Sequence, residues 1–279
     1  MKELHSNLPT LKELLSDDLR NEKCILEVDG VVFDFTHSKV TLESLDILDW
    51  ISKDMNVSKK IKAMMSGLNA NTTENRPALH TALRMPRNST LVVDGVNVID
   101  EIWSTLDKIK SFSEKIRKGE FKGYSGKNIW NTVVIGIGGS FLGPIYAVEA
   151  MKFYSKCYEA AKGRNIWFLA NVDPTDFFIA TEGLDLEETL FVINSKTFTT
   201  AETMLNAKTV KSVILNHYKK SYPDEIDSAI VKCHFAACST NLPETSKFGI
   251  EDENVFAFWN WVGGWFSVCS CIGMLPICI

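Results

Sequence analysis

The sequence has no long apolar run and no excess of positive charge, and these two absences narrow the classes of protein that it can be. No stretch approaches the roughly 20 apolar residues of a membrane-spanning helix. The N-terminus, MKELHSNLPTLKELL, has no apolar core of a secretory signal. A formal net charge of −5 argues against a general nucleic-acid-binding protein. We therefore expect a cytoplasmic protein without a membrane or nucleic-acid partner.

Metal-ligand spacing is also missing. The five histidines form no ligand pair, and the seven cysteines do not follow the spacing of zinc sites. Cys269 and Cys271 are two residues apart, and Cys233 and Cys238 lie in or near a predicted strand. We expect reduced, buried thiols and no bound metal.

The first 125 residues are predicted to be a mostly helical region. The segment 24–35, CILEVDGVVFDF, is typical of a small hairpin that turns at Asp29 and Gly30. Apolar spacing predicts a long helix over 96–118, and shorter helices are expected at 41–52, 58–66 and 77–85.

Residues 126–279 are predicted to form an α/β domain. Short apolar runs alternate there with amphipathic stretches, a pattern that indicates a parallel sheet flanked by helices. The ligands of such sheets bind at the carboxyl ends of the strands. The predicted strands are 132–138, 165–172, 189–195, 229–236 and 254–259.

The sequence SKTFTTAET, residues 195–203, follows one of these strands. Thr199 and Glu202 have the spacing of a capping box, so a helix is expected to begin there and to run to about Tyr218. Hydroxyl groups and a lysine would then gather at the positive end of a helix, beside free backbone N–H groups. This is the chemistry of an anion site, most naturally a phosphate site.

A second loop, GIGGSFLGP at 136–144, follows the first predicted strand of the sheet. It has no P-loop lysine, and Phe141 stands where a dinucleotide fingerprint needs glycine or alanine. Asp173 lies 37 residues past Gly136, too far for the usual ribose ligand at about 20. We expect no nicotinamide and no other cofactor. The loop does allow the backbone to approach an anion closely, with the Ser140 hydroxyl beside it.

Five blocks of the sequence together resemble the glucose-6-phosphate isomerase (phosphoglucose isomerase) family. They are FDFTHSKVT (33–41), NTTENRPALHTALR (71–84), GYSGKNIWNTVVIGIGGSFLGP (123–144), SKTFTTAET (195–203) and FWNWVGGWFSV (258–268). The resemblance implies two sugar-isomerase (SIS) domains, each with a parallel five-stranded sheet flanked by helices. It assigns to this chain the helical N-terminal region and the first SIS domain.

The resemblance also implies a function and a site. The family interconverts glucose 6-phosphate and fructose 6-phosphate in glycolysis and gluconeogenesis, without a cofactor, and full-length members are homodimers. The substrate phosphate would be bound by the family's two phosphate loops, at Gly139, Ser140, Ser195, Lys196, Thr197 and Thr200.

The sequence departs from the family pattern at several positions. Trp265 occupies the place of the arginine that is thought to stabilise the negative charge of the enediolate intermediate, and an indole offers one N–H and no charge. Asn260 stands where aspartate is common. Phe141 and Ala201 are milder changes.

The family's proton-shuttling glutamate and its ring-opening histidine and lysine would lie beyond Ile279. We therefore expect an α/β domain truncated at its C-terminal end and a chain that is catalytically impaired as it stands, with no intact catalytic residue. The histidines match no catalytic motif and are expected in core or surface roles: His37, His80, His217 and His234. The alternative is a non-catalytic SIS module that binds sugar phosphates.

Overall fold

The computed structural model describes residues 8–222 and 227–279. By internal contacts the chain divides into two compact units, the first ending at Ala63 and the second beginning at Met64. In the described ranges, no helix combines the length and the apolar character that crossing a membrane requires.

The first unit consists of short helices around a hairpin. Its elements are α1 (Leu11–Leu15), α2 (Asp18–Lys23), β1 (Ile25–Val28), β2 (Val31–Asp34), α3 (Leu42–Asp54) and the larger part of α4 (Val57–Met65). The antiparallel pair β1–β2 turns at Asp29 and Gly30, which both have positive φ angles (50° and 78°). This is the backbone that an Asp-Gly turn favours. The predicted hairpin and the helices at 41–52 and 58–66 are confirmed.

A buried arginine connects the parts of this unit. The Arg20 side chain is 1% exposed, and its guanidinium donates to the carbonyl groups of Thr36 (2.9 Å), Ser38 (2.6 Å) and Val40 (2.6 Å). A buried charge is tolerated when its donors are satisfied in this way. Arg20 therefore fixes the chain that follows the hairpin onto α2.

The second unit is an α/β domain. Its elements are a 3-10 turn (Ala82–Arg84), β3 (Val92–Val93), β4 (Val96–Asn97), α5 (Val98–Arg117), β5 (Asn131–Ile135), α6 (Gly139–Met151), α7 (Ser155–Ala160), β6 (Asn165–Leu169), α8 (Pro174–Thr181), a 3-10 turn (Leu186–Glu188), β7 (Thr189–Asn194), α9 (Ala201–Lys219), α10 (Asp227–His234), β8 (Phe235–Ser239), α11 (Leu242–Phe248), a 3-10 turn (Asp252–Asn254), β9 (Val255–Ala257), a 3-10 turn (Gly264–Cys269) and α12 (Cys271–Cys278).

The main sheet is parallel, with five strands in the order β6-β5-β7-β8-β9. Its central strands β5, β7 and β8 are buried along their whole length, as strands covered by helices on both faces must be. The edge strand β6 is only partly buried. The predicted fold, a five-stranded parallel sheet flanked by helices, is confirmed.

Each face of the sheet carries its own apolar core. On one face, α5 and α12 pack against alternate residues of the strands, such as Leu190 and Val192 of β7. On the other face, α9 and α10 pack against the intervening residues, such as Phe191 and Ile193. The predicted helix at 96–118 is α5, and its apolar stripe belongs to the core on the face that α5 and α12 cover.

Two sequence predictions are wrong within this unit. The predicted helix at 77–85 is only the single turn Ala82–Arg84, because the segment packs against the loop after β9: the Leu79 N–H donates to the Trp261 carbonyl (3.3 Å). The strand predicted at 229–236 is wrong, since α10 extends to His234 and β8 begins only at Phe235. A short apolar run suits a buried helix as well as a strand, and packing on the sheet decides between them.

Candidate anion-binding site

The loops after β5 and β7 meet at the carboxyl edge of the sheet. The two strands are parallel neighbours, with Ile135 paired to Ile193. Asn194, the last residue of β7, donates from Nδ2 to the Ser140 carbonyl (3.3 Å), so that the end of β7 is joined to the loop after β5. Residues 136–140 and 195–200 therefore lie side by side, where parallel α/β sheets bind their ligands.

Internal hydrogen bonds hold the loop that starts at Ser195. Ser195 is buried, its N–H donates to the Cys238 carbonyl (3.1 Å), and its Oγ accepts from the Phe198 N–H (3.1 Å). Phe198 has a φ of 55°, in the left-handed region that a bulky residue rarely adopts. Burial of its ring among apolar residues offsets this strain. The turn at Phe198 folds the loop back over the end of β7.

The helix after this loop begins one residue later than the capping box predicts. The N-cap of α9 is Thr200, and its hydroxyl does not cap the helix. The Thr199 hydroxyl donates to Thr197 Oγ1 (2.9 Å) and does not act as the predicted cap. The predicted cap is therefore wrong. Because no side chain caps α9, its positive end and the Thr200 hydroxyl stay available to an anion.

Lys196 crosses from this loop to the loop after β9. Its Nζ donates to the carbonyl groups of Asn260 (2.8 Å) and Val262 (2.9 Å). An ammonium group has three N–H donors, so one remains for a ligand. Burial, and then the positive charge of Arg76, lower the pKa of Lys196, while Glu74 acts in the opposite direction. An anion bound beside Lys196 would favour its charged form.

The W-V-G-G block completes the carboxyl edge. A Cβ atom at Gly139 would lie 2.4 Å from the carbonyl carbon and oxygen of Gly264 and 2.8 Å from the Trp265 nitrogen. Only glycine allows the start of α6 to lie so close to this block. The Trp265 side chain is 70% exposed and carries no charge. The structure thus brings the backbone of Trp265 against one of the two predicted phosphate loops.

The structure adds one segment that the sequence did not assign to the site. His80 accepts a hydrogen bond at Nε2 from the Gly263 N–H (2.8 Å), and its ring centroid lies 4.9 Å from that of Phe266. The pKa of His80 is lowered by burial and then by three cations: Arg76, Arg84 and Lys196. The block 71–84 was recognisable by its resemblance, but only the folded chain shows that it borders Lys196 and the W-V-G-G block.

His234 lies in the core, as expected. Its side chain is 0% exposed; Nδ1 lies 2.8 Å from the Thr189 carbonyl oxygen, and Nε2 accepts from the Tyr124 N–H (3.0 Å) and from the Tyr218 hydroxyl (2.9 Å). Burial lowers the pKa of His234 to about 4. Thr189 begins β7, so this histidine is at the opposite edge of the sheet from the candidate site.

The cysteines are all free thiols, of which Cys24, Cys238 and Cys271 are buried and the other four are partly buried. Within residues 8–222 and 227–279, no group of three or more histidine, cysteine or acidic side chains is arranged to hold a metal ion.

The structure is that of a parallel α/β protein whose loops gather at the carboxyl edge of its sheet. Residues 34–279 match the model of the phosphoglucose isomerase family, and the chain belongs to that family. It is 45% identical over 267 residues to the cytosolic glucose-6-phosphate isomerase of Arabidopsis thaliana and 46% identical to cytosolic glucose-6-phosphate isomerase B of Oryza sativa subsp. japonica.

Each of these alignments covers 96% of this chain and 46% of the relative, so the chain spans about half the length of the curated relatives it matches. The crystal structure of a glucose-6-phosphate isomerase from Chlamydia trachomatis superimposes with a TM-score of 0.75 at 24% identity. That match covers 99% of this chain and 50% of the other, and it establishes the similarity of the fold.

Proposed function

We propose that the carboxyl-edge site binds the phosphate group of glucose 6-phosphate or fructose 6-phosphate. The observation that carries this proposal is the hydrogen bond from Asn194, the residue immediately before the loop 195–200, to Ser140 at the end of the loop 136–140. Family membership supplies the substrate class, because the curated relatives are named glucose-6-phosphate isomerases.

The chain offers a complementary set of donors for a phosphate group. Lys196 keeps one N–H, and the Ser195 hydroxyl is free to donate because its oxygen only accepts from Phe198. The remaining donors are hydroxyl or backbone N–H groups of Gly139, Ser140, Thr197 and Thr200. Charged hydrogen bonds to phosphate oxygens are stronger than neutral ones. The three nearby cations named above add a positive field to this edge.

For the whole protein we propose reversible aldose–ketose isomerisation of these two sugar phosphates, in glycolysis and gluconeogenesis. We also propose a cytosolic location, on the ground that the relatives at 45–46% identity are named as cytosolic proteins. A homodimer, as the family resemblance implies, belongs to the same proposal.

We propose that Trp265 makes isomerisation by this protein slow. Isomerisation builds negative charge on the sugar oxygens, and loss of one donor to such an oxyanion costs about 10²–10³ in rate. The exposed, uncharged indole favours the alternative in which the site binds sugar phosphates without turning them over. A coupled assay with fructose 6-phosphate checks this: we expect turnover slower by at least about 10²-fold than in a family member that has the arginine, and a comparable rate would contradict the proposal.

Isothermal titration calorimetry tests the phosphate site itself. We expect the full chain to bind fructose 6-phosphate, and to bind fructose, which has no phosphate, much more weakly. Thr200→Ala should reduce the affinity for fructose 6-phosphate about tenfold, because one hydrogen bond to a charged group is lost. Thr209→Ala is the matched control: Thr209 is an exposed threonine on the same helix, and its hydroxyl donates to the Leu205 carbonyl.

Equal binding of fructose and fructose 6-phosphate would refute recognition of the phosphate. Equal effects of the Thr200 and Thr209 substitutions would show that the loss comes from the helix and not from the site.

A further inference from the structure

A cavity lies between α9 and α11, with a volume of about 660 Å³. This volume is within the range of small-molecule sites, about 300–1,000 Å³. None of the six residues assigned to the sugar-phosphate site lines it. It borders that site, because Thr199 and Ala201, the two neighbours of Thr200 in the sequence, line the cavity.

The charge of the cavity is predominantly positive. Three lysines line it, Lys208 and Lys211 on α9 and Lys247 on α11, against a single carboxylate, that of Glu244. This carboxylate pairs with Lys247 at 2.5 Å, and the Lys247 side chain is 71% exposed. Exposed pairs of this kind contribute little to stability, so an anion can compete for Lys247. In a chain with a net charge of −5, this local excess of positive charge suits an anionic ligand.

The lysines have two different roles. Lys211 is half-buried; its Nζ donates to the Phe248 carbonyl and lies 4.6 Å from the centroid of the Phe248 ring. Burial lowers the pKa of Lys211. It therefore joins α9 to the end of α11. Lys208 and Lys247 are exposed and can turn toward a ligand.

The remaining wall of the cavity is apolar. Phe198 and Phe248 are buried behind it, edge to face with ring centroids 5.9 Å apart, and Met204 and Leu205 of α9 present the accessible apolar surface. Leu205 is 52% exposed, more than a core leucine would be. An apolar wall with lysines at its rim fits a ligand that has both an apolar body and an anionic group.

We propose that this cavity binds a small organic phosphate with an apolar body, of the size of a nucleoside monophosphate. Lys208 and Lys247 contact the phosphate group, and the body of the ligand packs against Met204 and Leu205. The cavity adjoins the sugar-phosphate site but shares none of its six assigned residues, and the proposal does not depend on the function proposed for that site.

Calorimetric titration of the full chain with adenosine 5′-monophosphate tests the proposal. We expect binding that weakens at high ionic strength, because exposed charges are screened. The double variant Lys208→Gln/Lys247→Gln should lose at least about tenfold in affinity, since two charged contacts are removed. Leu205→Asp should also weaken binding, by placing a negative charge on the apolar wall.

The control is Lys220→Gln. Lys220 is exposed at the C-terminal end of the same helix, about 18 Å along the helix axis from Lys208. This variant should keep the affinity within about twofold of the parent protein, because charges are strongly screened at that distance.

Adenosine and inorganic phosphate separate the two parts of the ligand. Both should bind much more weakly than the nucleotide. Equal binding of adenosine would show that the lysines do not recognise phosphate, and equal binding of inorganic phosphate would show that the apolar wall is not used; either result overturns the proposal. If the double variant binds the nucleotide normally while Lys196→Ala does not, the nucleotide occupies the sugar-phosphate site and the proposed cavity site is wrong.

Discussion

His80 Nε2 accepts the backbone N–H of Gly263 at 2.8 Å, across 183 residues of sequence. This hydrogen bond joins the block 71–84 to the W-V-G-G block at the edge of the candidate site. It requires the neutral imidazole, and the lowered pKa of His80 keeps the ring in that form at neutral pH.

Removal of this acceptor should destabilise the site. For His80→Phe we expect a loss of about 1–3 kcal/mol in the free energy of unfolding, because the half-buried Gly263 N–H is left without a partner. His80→Gln keeps a side-chain acceptor and should recover part of the loss. Urea denaturation of the three proteins measures the difference, and equal loss in both variants would show that the ring, and not its acceptor, is what matters.

Gly139→Ala should disturb the site through a backbone clash. The added Cβ would lie 2.4 Å from the Gly264 carbonyl, which is far inside van der Waals contact. We expect a loss of about 1–3 kcal/mol in stability, together with weaker binding of fructose 6-phosphate. Gly264→Ala is the control, because a Cβ atom there meets nothing within 4 Å. Thermal denaturation and calorimetry should find the second variant close to the parent protein.

Trp265→Arg should strengthen the binding of fructose 6-phosphate. A guanidinium in place of the indole adds a charged donor next to the loop at Gly139, and we expect a gain of about tenfold at low ionic strength. The adjacent Phe266 is exposed to a similar degree, 66% against 70% for Trp265. Phe266→Arg therefore controls for the added charge, although it also removes the ring that contacts His80. If both variants gain equally, the effect is a general attraction of anions and does not depend on position 265.

Acid should destabilise the second unit through His234. Its pKa of about 4 in the folded state lies below the ordinary value near 6.5 that it regains on unfolding. Above that ordinary value neither state is protonated and stability is full. As the pH falls toward 4, His234 becomes protonated in the unfolded state but stays neutral in the folded state. The free energy of unfolding therefore declines by up to about 3 kcal/mol.

Urea denaturation at several pH values between about 7.5 and 3.5 measures this decline, since that range spans the two pKa values. His234→Gln cannot titrate and should show a smaller fall in stability with acid, even if it is less stable throughout. His217→Gln, which removes a partly exposed histidine paired with Glu187 at 3.2 Å, should keep most of the fall. An unchanged pH dependence in His234→Gln would assign the effect to other groups.

Local signals in the sequence were sufficient for much of the fold. The Asp29-Gly30 turn, the long amphipathic helix α5 and the buried strands β5 and β7 each have a pattern that few other structures satisfy. Local signals failed where two structures suit the same residues. Residues 229–234 are apolar enough for either a strand or a helix, and Thr199 and Thr200 can each precede a helix.

For the candidate site, the residue types that follow β5 and β7 could be read from the sequence, and a parallel sheet necessarily places the loops after neighbouring strands at one edge. Which other segments join these loops is seen only in the folded chain. The contacts of His80 with Gly263 and of Lys196 with Asn260 and Val262 span long separations in the sequence. The physical reason is that such contacts follow from how the sheet, its covering helices and the loop after β9 pack together. No periodicity or motif within a single segment specifies that packing.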